Sequence, residues 1–235
     1  MPKRILPAIF LLFLFSCKKE EPKTIKPFVY TDSITDVEGN YYHVVTIGSQ
    51  VWMAENLRTT HYQNGDTILY QPSQSSWSTF YQRAYCNYAN DSVAAAIYGK
   101  LYTFGAVNDT RNICPPGWHL PSQAEWQTLL NYLGAHAGDK LREAGVKHWL
   151  PPNDNATNEV GFAALPGGWH SDAGDYYAVR HEAYFWTATQ DVSSVYPQSW
   201  SLHFTGDADP ETQPETTSFS SVSWQSGCAV RCIKN

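Results

Sequence analysis

Five cysteines, eight histidines and 22 carboxylates are the reactive or ligating side chains of this 235-residue chain, and their spacing decides what chemistry they could do. His43, His61, His119, His136, His148, His170, His181 and His203 never stand two or four residues apart, and none adjoins a candidate nucleophile. Those offsets would put two imidazoles on one face of a strand or helix, so no zinc site and no catalytic residue is assigned, and no cofactor is called for. Cys86, Cys114, Cys228 and Cys232 show no C-x-x-C spacing. An even number of cysteines in an oxidising compartment points instead to two disulfides. Four cysteines allow three pairings, and sequence alone does not choose among them. Cys228 and Cys232 lie four apart in a strand-like run, so both would face one way and each could meet a distant partner. The favoured pairs are Cys114 with Cys232 and Cys86 with Cys228. Asp207-Ala208-Asp209-Pro210-Glu211 alternates carboxylates but lacks the glycine and closing glutamate of an EF-hand loop. It reads as a solvated acidic loop, with no metal assigned.

Aromatic side chains offer recognition. Trp169-His170-Ser171-Asp172-Ala173-Gly174-Asp175-Tyr176-Tyr177 sets flat rings among polar and acidic residues, and Tyr184, Tyr196 and Trp200 follow. Rings flanked by Asp and Ser suit stacking on sugar faces or filling a protein interface. Trp169, Asp172, Asp175, Tyr176, Tyr177 and Trp200 are therefore the candidate binding residues. Trp118, Trp126, Trp149 and Trp186 read as core.

The elements that must position these residues start from Cys114–Gly134. Ser122 stands three before Glu125, the capping-box spacing, and Trp126, Leu129, Leu130 and Leu133 make one apolar face up to Gly134. This predicts a helix with a glycine C-cap. Pro115, Pro116 and Pro121 keep its approach extended. Gly48-Ser49 between Tyr41–Ile47 and Gln50–Met53 predicts a β-hairpin. His61 to Tyr85 has no period and reads as an irregular excursion. Tyr98 to Val107 reads as a short buried segment, Asp139–Ala144 as a second short helix ended by Gly145, and Asn158–Trp169 as a core segment with a glycine turn. That turn carries no P-loop lysine and is read as packing. Ala183–Ala188, Trp200–Phe204 and Ala229–Ile233 are strand-like.

Lys3 and Arg4 precede an apolar run, Ile5 to Phe15, that is too short to span a bilayer as a helix. The run is expected to be a signal peptide, residues 1–16. Leu14-Phe15-Ser16-Cys17 resembles a bacterial lipobox, so Cys17 is the expected lipidation site and the membrane a partner through its acyl chains. Lys18-Lys19-Glu20-Glu21 resembles the export signal of Bacteroidetes surface lipoproteins. Residues 17–35 are expected to form a flexible spacer, and 36–235 one domain. Asp32-Ser33-Ile34, Asp66-Thr67-Ile68 and Asp91-Ser92-Val93 resemble the O-glycosylation sites of the same exported proteins. The formal charge is −6, and loss of Lys3 and Arg4 would deepen it by two. With no cluster of basic residues, nucleic acid is excluded as a partner. Nine Trp and fifteen Tyr favour a loop-rich α+β or β domain over a helical one.

YYHVVTIGSQVWMAENL, YCNYAND, YGKLYTFGAVND, CPPGWHLPSQAEW, GFAALPGGW, FWTAT and AVRCIKN, in this order, resemble the Fibrobacter succinogenes major paralogous domain of Bacteroidetes lipoproteins. Cys228 departs from the family's usual apolar or aromatic residue, which fits an extra disulfide. The resemblance implies an α+β, C-type-lectin-like fold related to formylglycine-generating enzymes, with short helices on antiparallel strands and long irregular loops. It also implies an outer-membrane lipoprotein, exposed at the cell surface, and no established activity. An oxidase of that group needs two reactive thiols in a cleft beside the structural cysteine matched by Cys232. Cys228 is poorly placed to supply one, so catalysis is not expected. The expected function is a lipid-anchored binding module for a glycan or a surface protein. The alternatives are a formylglycine-generating-type oxidase and a purely structural envelope protein.

Overall fold

The computed structural model describes residues 27–72, 77, 81–206 and 217–235. The signal peptide, Cys17, Lys18–Glu21 and the Asp207–Glu211 run lie outside these residues. In chain order come β1 (Asp32–Thr35), β2 (Tyr41–Ile47), β3 (Gln50–Met53), β4 (Leu69–Tyr70) and β5 (Ala84–Cys86). They are followed by α1 (Ser92–Tyr98), β6 (Leu101–Thr103), α2 (Phe104–Val107), β7 (Trp118–His119), α3 (Gln123–Leu133) and α4 (Ala137–Leu141). The remainder is strand: β8 (Gly167–His170), β9 (Tyr176–Val179), β10 (Glu182–Gln190), β11 (Gln198–Thr205), β12 (Thr217–Ser223), β13 (Gly227–Cys228) and β14 (Ile233–Lys234).

This is an α+β arrangement of mostly antiparallel sheets with short helices. Among the described residues one sheet runs β1-β2-β3-β14-β7 and the other β12-β11-β10-β8-β13-β6-β5-β4, with β9 paired to β8. The β2–β3 hairpin forms where the sequence puts it, Ile47 opposite Gln50 across Gly48-Ser49. In α3 the capping box is complete, Ser122 Oγ accepting from Glu125 N and Glu125 accepting from Ser122 N. Gly134 ends the helix at φ +68°, a region glycine enters without steric cost, although its ψ of −145° lies outside the left-handed helical well. Trp126, Leu129 and Leu133 are buried and pack with Trp52, Phe162, Phe185 and Leu202. Burial of such side chains stabilises by about 2 kcal/mol each. The second large cluster gathers Tyr42, Tyr102, Phe104, Trp118, Trp186, Cys228 and Val230. Trp118, Trp126, Trp149 and Trp186 are all core.

Four expectations are corrected. β1 falls within the stretch read as spacer, and ahead of it Phe28 covers Gly161 while Tyr30 Oη donates to the Gly161 carbonyl at 3.0 Å. Ordered structure thus begins before residue 36. The second helix covers Ala137–Leu141 rather than Asp139–Ala144, because Arg142 turns extended (ψ 144°) to bridge Ala164. The terminal run is not one strand. β13 pairs with β6 and β8 while β14 pairs with β3 and β7, so residues 229–232 cross from one sheet to the other.

The last correction concerns the cysteines. Cys114 and Cys232 are bonded, with Cα atoms 5.9 Å apart, but Cys86 and Cys228 are free thiols, both buried. Cys86 pairs with Leu101 on one side of β6, and Cys228 with Tyr102 on the other. The two thiols are therefore two strands apart, roughly 10 Å, and point to opposite faces of the sheet, beyond disulfide reach. Accordingly Cys86 packs with Trp77 and Leu101, and Cys228 with Tyr102. Arg231, fully buried beside Cys232, donates from Nη2 to Asn56 Oδ1 at 2.6 Å and from Nη1 to the Met53 carbonyl at 3.2 Å. It also reaches the Phe162 and Ala163 carbonyls. These bonds tie the crossing segment to both core clusters, and burial lowers the guanidinium pKa to about 9.

Candidate aromatic groove

The polar aromatic stretch of the sequence folds into the β8–β9 hairpin. Its turn is closed by Ser171 N donating to the Asp175 carbonyl at 2.8 Å and by Asp175 N donating to Ser171 Oγ at 3.1 Å. Pairing sets Trp169 opposite Tyr177 and His170 opposite Tyr176. Strand alternation then sends the two pairs to opposite faces. Gly168 makes this hairpin possible: its φ is +64°, and a Cβ there would lie 2.2 Å from the Tyr177 carbonyl oxygen.

On one face Trp169 and Tyr177 stack at 5.5 Å and 30°, and Tyr184 of β10 joins Trp169 at 5.6 Å. Tyr184 is backed in turn by His203 of β11, ring on ring at 4.3 Å and 14°. Together with Asp172, Ser171 and Glu182 these rings line an open groove of about 620 Å³. Among the described residues no lysine or arginine lines it. The His203 imidazole, with Nε2 at 3.5 Å from Glu182 Oε2, holds the Glu182 carboxyl below its ordinary range. Burial, and then the Glu182 charge, push the Tyr184 hydroxyl up. The charge on Asp175, whose Oδ2 accepts from Tyr177 Oη at 3.3 Å, raises Tyr177. At neutral pH the groove therefore offers the ionised Glu182 carboxylate beside neutral phenols and an indole face.

The other face of the hairpin is interior. His170 and Tyr176 pack with Trp77 and Tyr88, and Tyr176 Oη donates to Asn90 Oδ1 at 3.1 Å. Of the expected binding residues, the structure thus brings Trp169, Asp172 and Tyr177 into one groove, with Asp175 at its margin. Tyr176 is removed from it by alternation. Trp200 is removed as well, since along β11 it alternates with His203 and faces the side of the sheet that carries Leu202 and Phe204. Glu182, which lines the groove, and His203, which stands behind Tyr184, are the residues not anticipated. The signal for them lay in the period-two pattern around Ala183, Phe185, Leu202 and Phe204, which leaves Glu182, Tyr184 and His203 on the opposite face.

No group of three or more His, Cys, Asp or Glu side chains able to hold a metal occurs among the described residues. Burial raises the Cys86 thiol to about 12 and the Cys228 thiol further. Neither is poised as a nucleophile. No helix of the described residues is long and apolar enough to cross a membrane.

No curated protein and no solved structure matches the chain. One family model does, that of the Fibrobacter succinogenes major domain, over residues 45–234. The match runs from within β2 to β14 and takes in the α3 capping box, the groove hairpin and the Arg231-Cys232 crossing, so the chain belongs to the Fibrobacter succinogenes major domain family.

Proposed function

We propose that this protein is a carbohydrate-binding module of the bacterial cell envelope, anchored through lipid on Cys17 at the outer membrane and acting without turnover. The observation that carries the reading is the Trp169–Tyr177–Tyr184 ring array edged by Asp172 and Glu182. Sugars present apolar C–H faces to rings and hydroxyl donors to carboxylates, and this groove supplies both. Its volume suits one or two sugar units. With carboxylates and no cation along its walls, it favours neutral or amino sugars over acidic ones.

Export is supported by the Cys114–Cys232 disulfide, a bond of oxidising compartments. The helix that begins within HLPSQAEW and the Arg231-Cys232 segment support a C-type-lectin-like reading of the fold. A formylglycine-generating-type oxidase would need two reactive thiols in one cleft. Two free thiols exist, yet both are buried and they face opposite sides of β6. That geometry favours binding over catalysis.

A glycan array probed with the full chain tests the proposal. Neutral or amino glycans bound by the wild type and lost in Trp169→Ala and Tyr177→Ala are the expected result. An array silent for the wild type, with a protein partner captured through the same face, would replace a sugar with a protein ligand.

A further inference from the structure

A second cavity, about 340 Å³, shares no residue with the aromatic groove. Arg58, just beyond β3, and Lys100, just before β6, both line it, together with Asn87 and Ser92. Each cation is held by an aromatic ring. The Arg58 guanidinium carbon lies 4.7 Å from the Tyr42 ring centre, and its Nη2 donates to the Tyr41 carbonyl at 2.7 Å. Lys100 Nζ lies 4.8 Å from the Tyr85 ring centre. A ring face positions a cation without cancelling its charge.

Carboxylates do cancel other cations of this chain. Arg83 and Arg111 meet Asp109, Lys140 meets Glu159, and Arg142 meets Asp139. Neither Arg58 nor Lys100 has a carboxylate within 4.0 Å among the described residues. The acids nearby are committed: Glu38 accepts from Thr59 and Thr60, Asp36 from Asn40 and Tyr42, and Asp91 from Val93 N. Partial burial lowers Lys100 from its ordinary value; Glu38 opposes this and Arg58 adds to it, so the two cations sense each other. In a chain of net negative charge, two cations without carboxylate partners lining one small cavity make a local patch of positive potential that attracts an anion.

We propose that the Arg58–Lys100 cavity binds a single oxyanion, a carboxylate, sulfate or phosphate group, with Asn87 and Ser92 adding hydrogen bonds. Guanidinium and ammonium groups give such oxygens short, charge-assisted hydrogen bonds. The volume lies at the small end of ligand sites and admits a free ion or one acidic sugar unit. The site stands independently of the aromatic groove, whose acidic walls disfavour the same ligands.

Amide chemical-shift titration of the full chain with inorganic sulfate, inorganic phosphate and glucuronate tests the site. Saturable shifts clustered at Arg58, Asn87, Ser92 and Lys100, weakening as sodium chloride is added, are expected. Tighter binding of glucuronate would identify the sugar-borne anion as ligand, and tighter binding of an inorganic ion the free anion. Lys100→Gln should weaken binding about tenfold, a change of about 1.4 kcal/mol. Arg58→Lys, which keeps the charge but loses the forked geometry, should weaken it less. Among the described residues Lys100 donates no side-chain hydrogen bond, so an unchanged melting temperature in its variant shows that the loss is local. No saturable response to any of the three anions at tens of millimolar, or binding indifferent to Lys100→Gln, overturns the proposal.

Discussion

The His170 ring lies on the Trp77 indole at 4.2 Å, fully buried, and neither of its nitrogens has a hydrogen-bond partner among the described residues. Burial lowers its pKa to about 4, against an ordinary value of about 6.5. For a base whose folded value is depressed, the unfolded chain binds the extra proton. Stability is then complete above about pH 6.5 and falls as pH drops towards 4. The denaturation midpoint should decline across that window, by up to a few kcal/mol of stability, and His170→Phe should flatten the decline. Parallel profiles for wild type and variant would show that His170 is not the cause. Burial raises Glu38, but Thr60, Thr59 and His61 outweigh it and hold the carboxyl at about 2, so its own contribution starts to fall away below about pH 5; the His170 effect is read above that pH and from the difference between wild type and variant.

Gly168→Ala should dismantle the groove. The added methyl would meet the Tyr177 carbonyl at 2.2 Å and Val179 N at 2.7 Å, at a positive φ that alanine tolerates poorly. Loss of about 2 kcal/mol or more of stability is expected, with loss of glycan binding. Urea unfolding and the glycan array read the two effects.

Trp169→Ala and Tyr177→Ala remove ring area from a surface and should behave differently. Tyr177 is 45% exposed, and its loss should change stability by less than about 1 kcal/mol while abolishing glycan binding. Asp172→Asn keeps the shape and removes a charge. It should reduce affinity for amino sugars more than for neutral ones, which competition with the two sugar types would reveal.

Thiol titration should find no reactive thiol among Cys86, Cys114, Cys228 and Cys232 in the native protein and two after unfolding without reductant. Cys232→Ala opens a loop of 118 residues and should cost about 2–5 kcal/mol. Four thiols appearing on unfolding would mean that the disulfide is absent.

Arg231→Met would leave the Asn56 side chain and the Met53, Phe162 and Ala163 carbonyls buried without their donor. A loss of about 3–5 kcal/mol is expected by chemical denaturation. Arg231→Lys should recover only part of it, because an ammonium cannot span so many acceptors.

Local features were legible in the sequence because they rest on neighbours. The Ser122–Glu125 box and the Gly48-Ser49 turn are decided within a few residues, and both form as read. Legibility failed where a distant strand decides. Residues 229–232 carry strand-like side chains, yet β6 claims Cys228 and β3 claims Ile233, and the chain must leave one sheet for the other. The Cys86–Cys228 pairing failed for the same reason, since which face of β6 each thiol shares depends on a one-residue register. In the groove, the loop residues Trp169, Asp172 and Tyr177 were visible as a polar aromatic cluster. The period-two pattern puts Glu182 and His203 on the outward face of their strands, but that His203 backs Tyr184 depends on the β10–β11 register, which no local pattern states.

The crossing segment also governs when the molecule can fold. β13 is the strand that joins β6 to β8, and β14 the one that joins β3 to β7. A nascent chain that has emerged only as far as residue 226 therefore holds each sheet as two unconnected pieces, with Cys114 unpaired and the Arg231 acceptors empty. Neither sheet can be completed until residues 227–234 take their places, so the last strands to be synthesised are the ones that close the molecule.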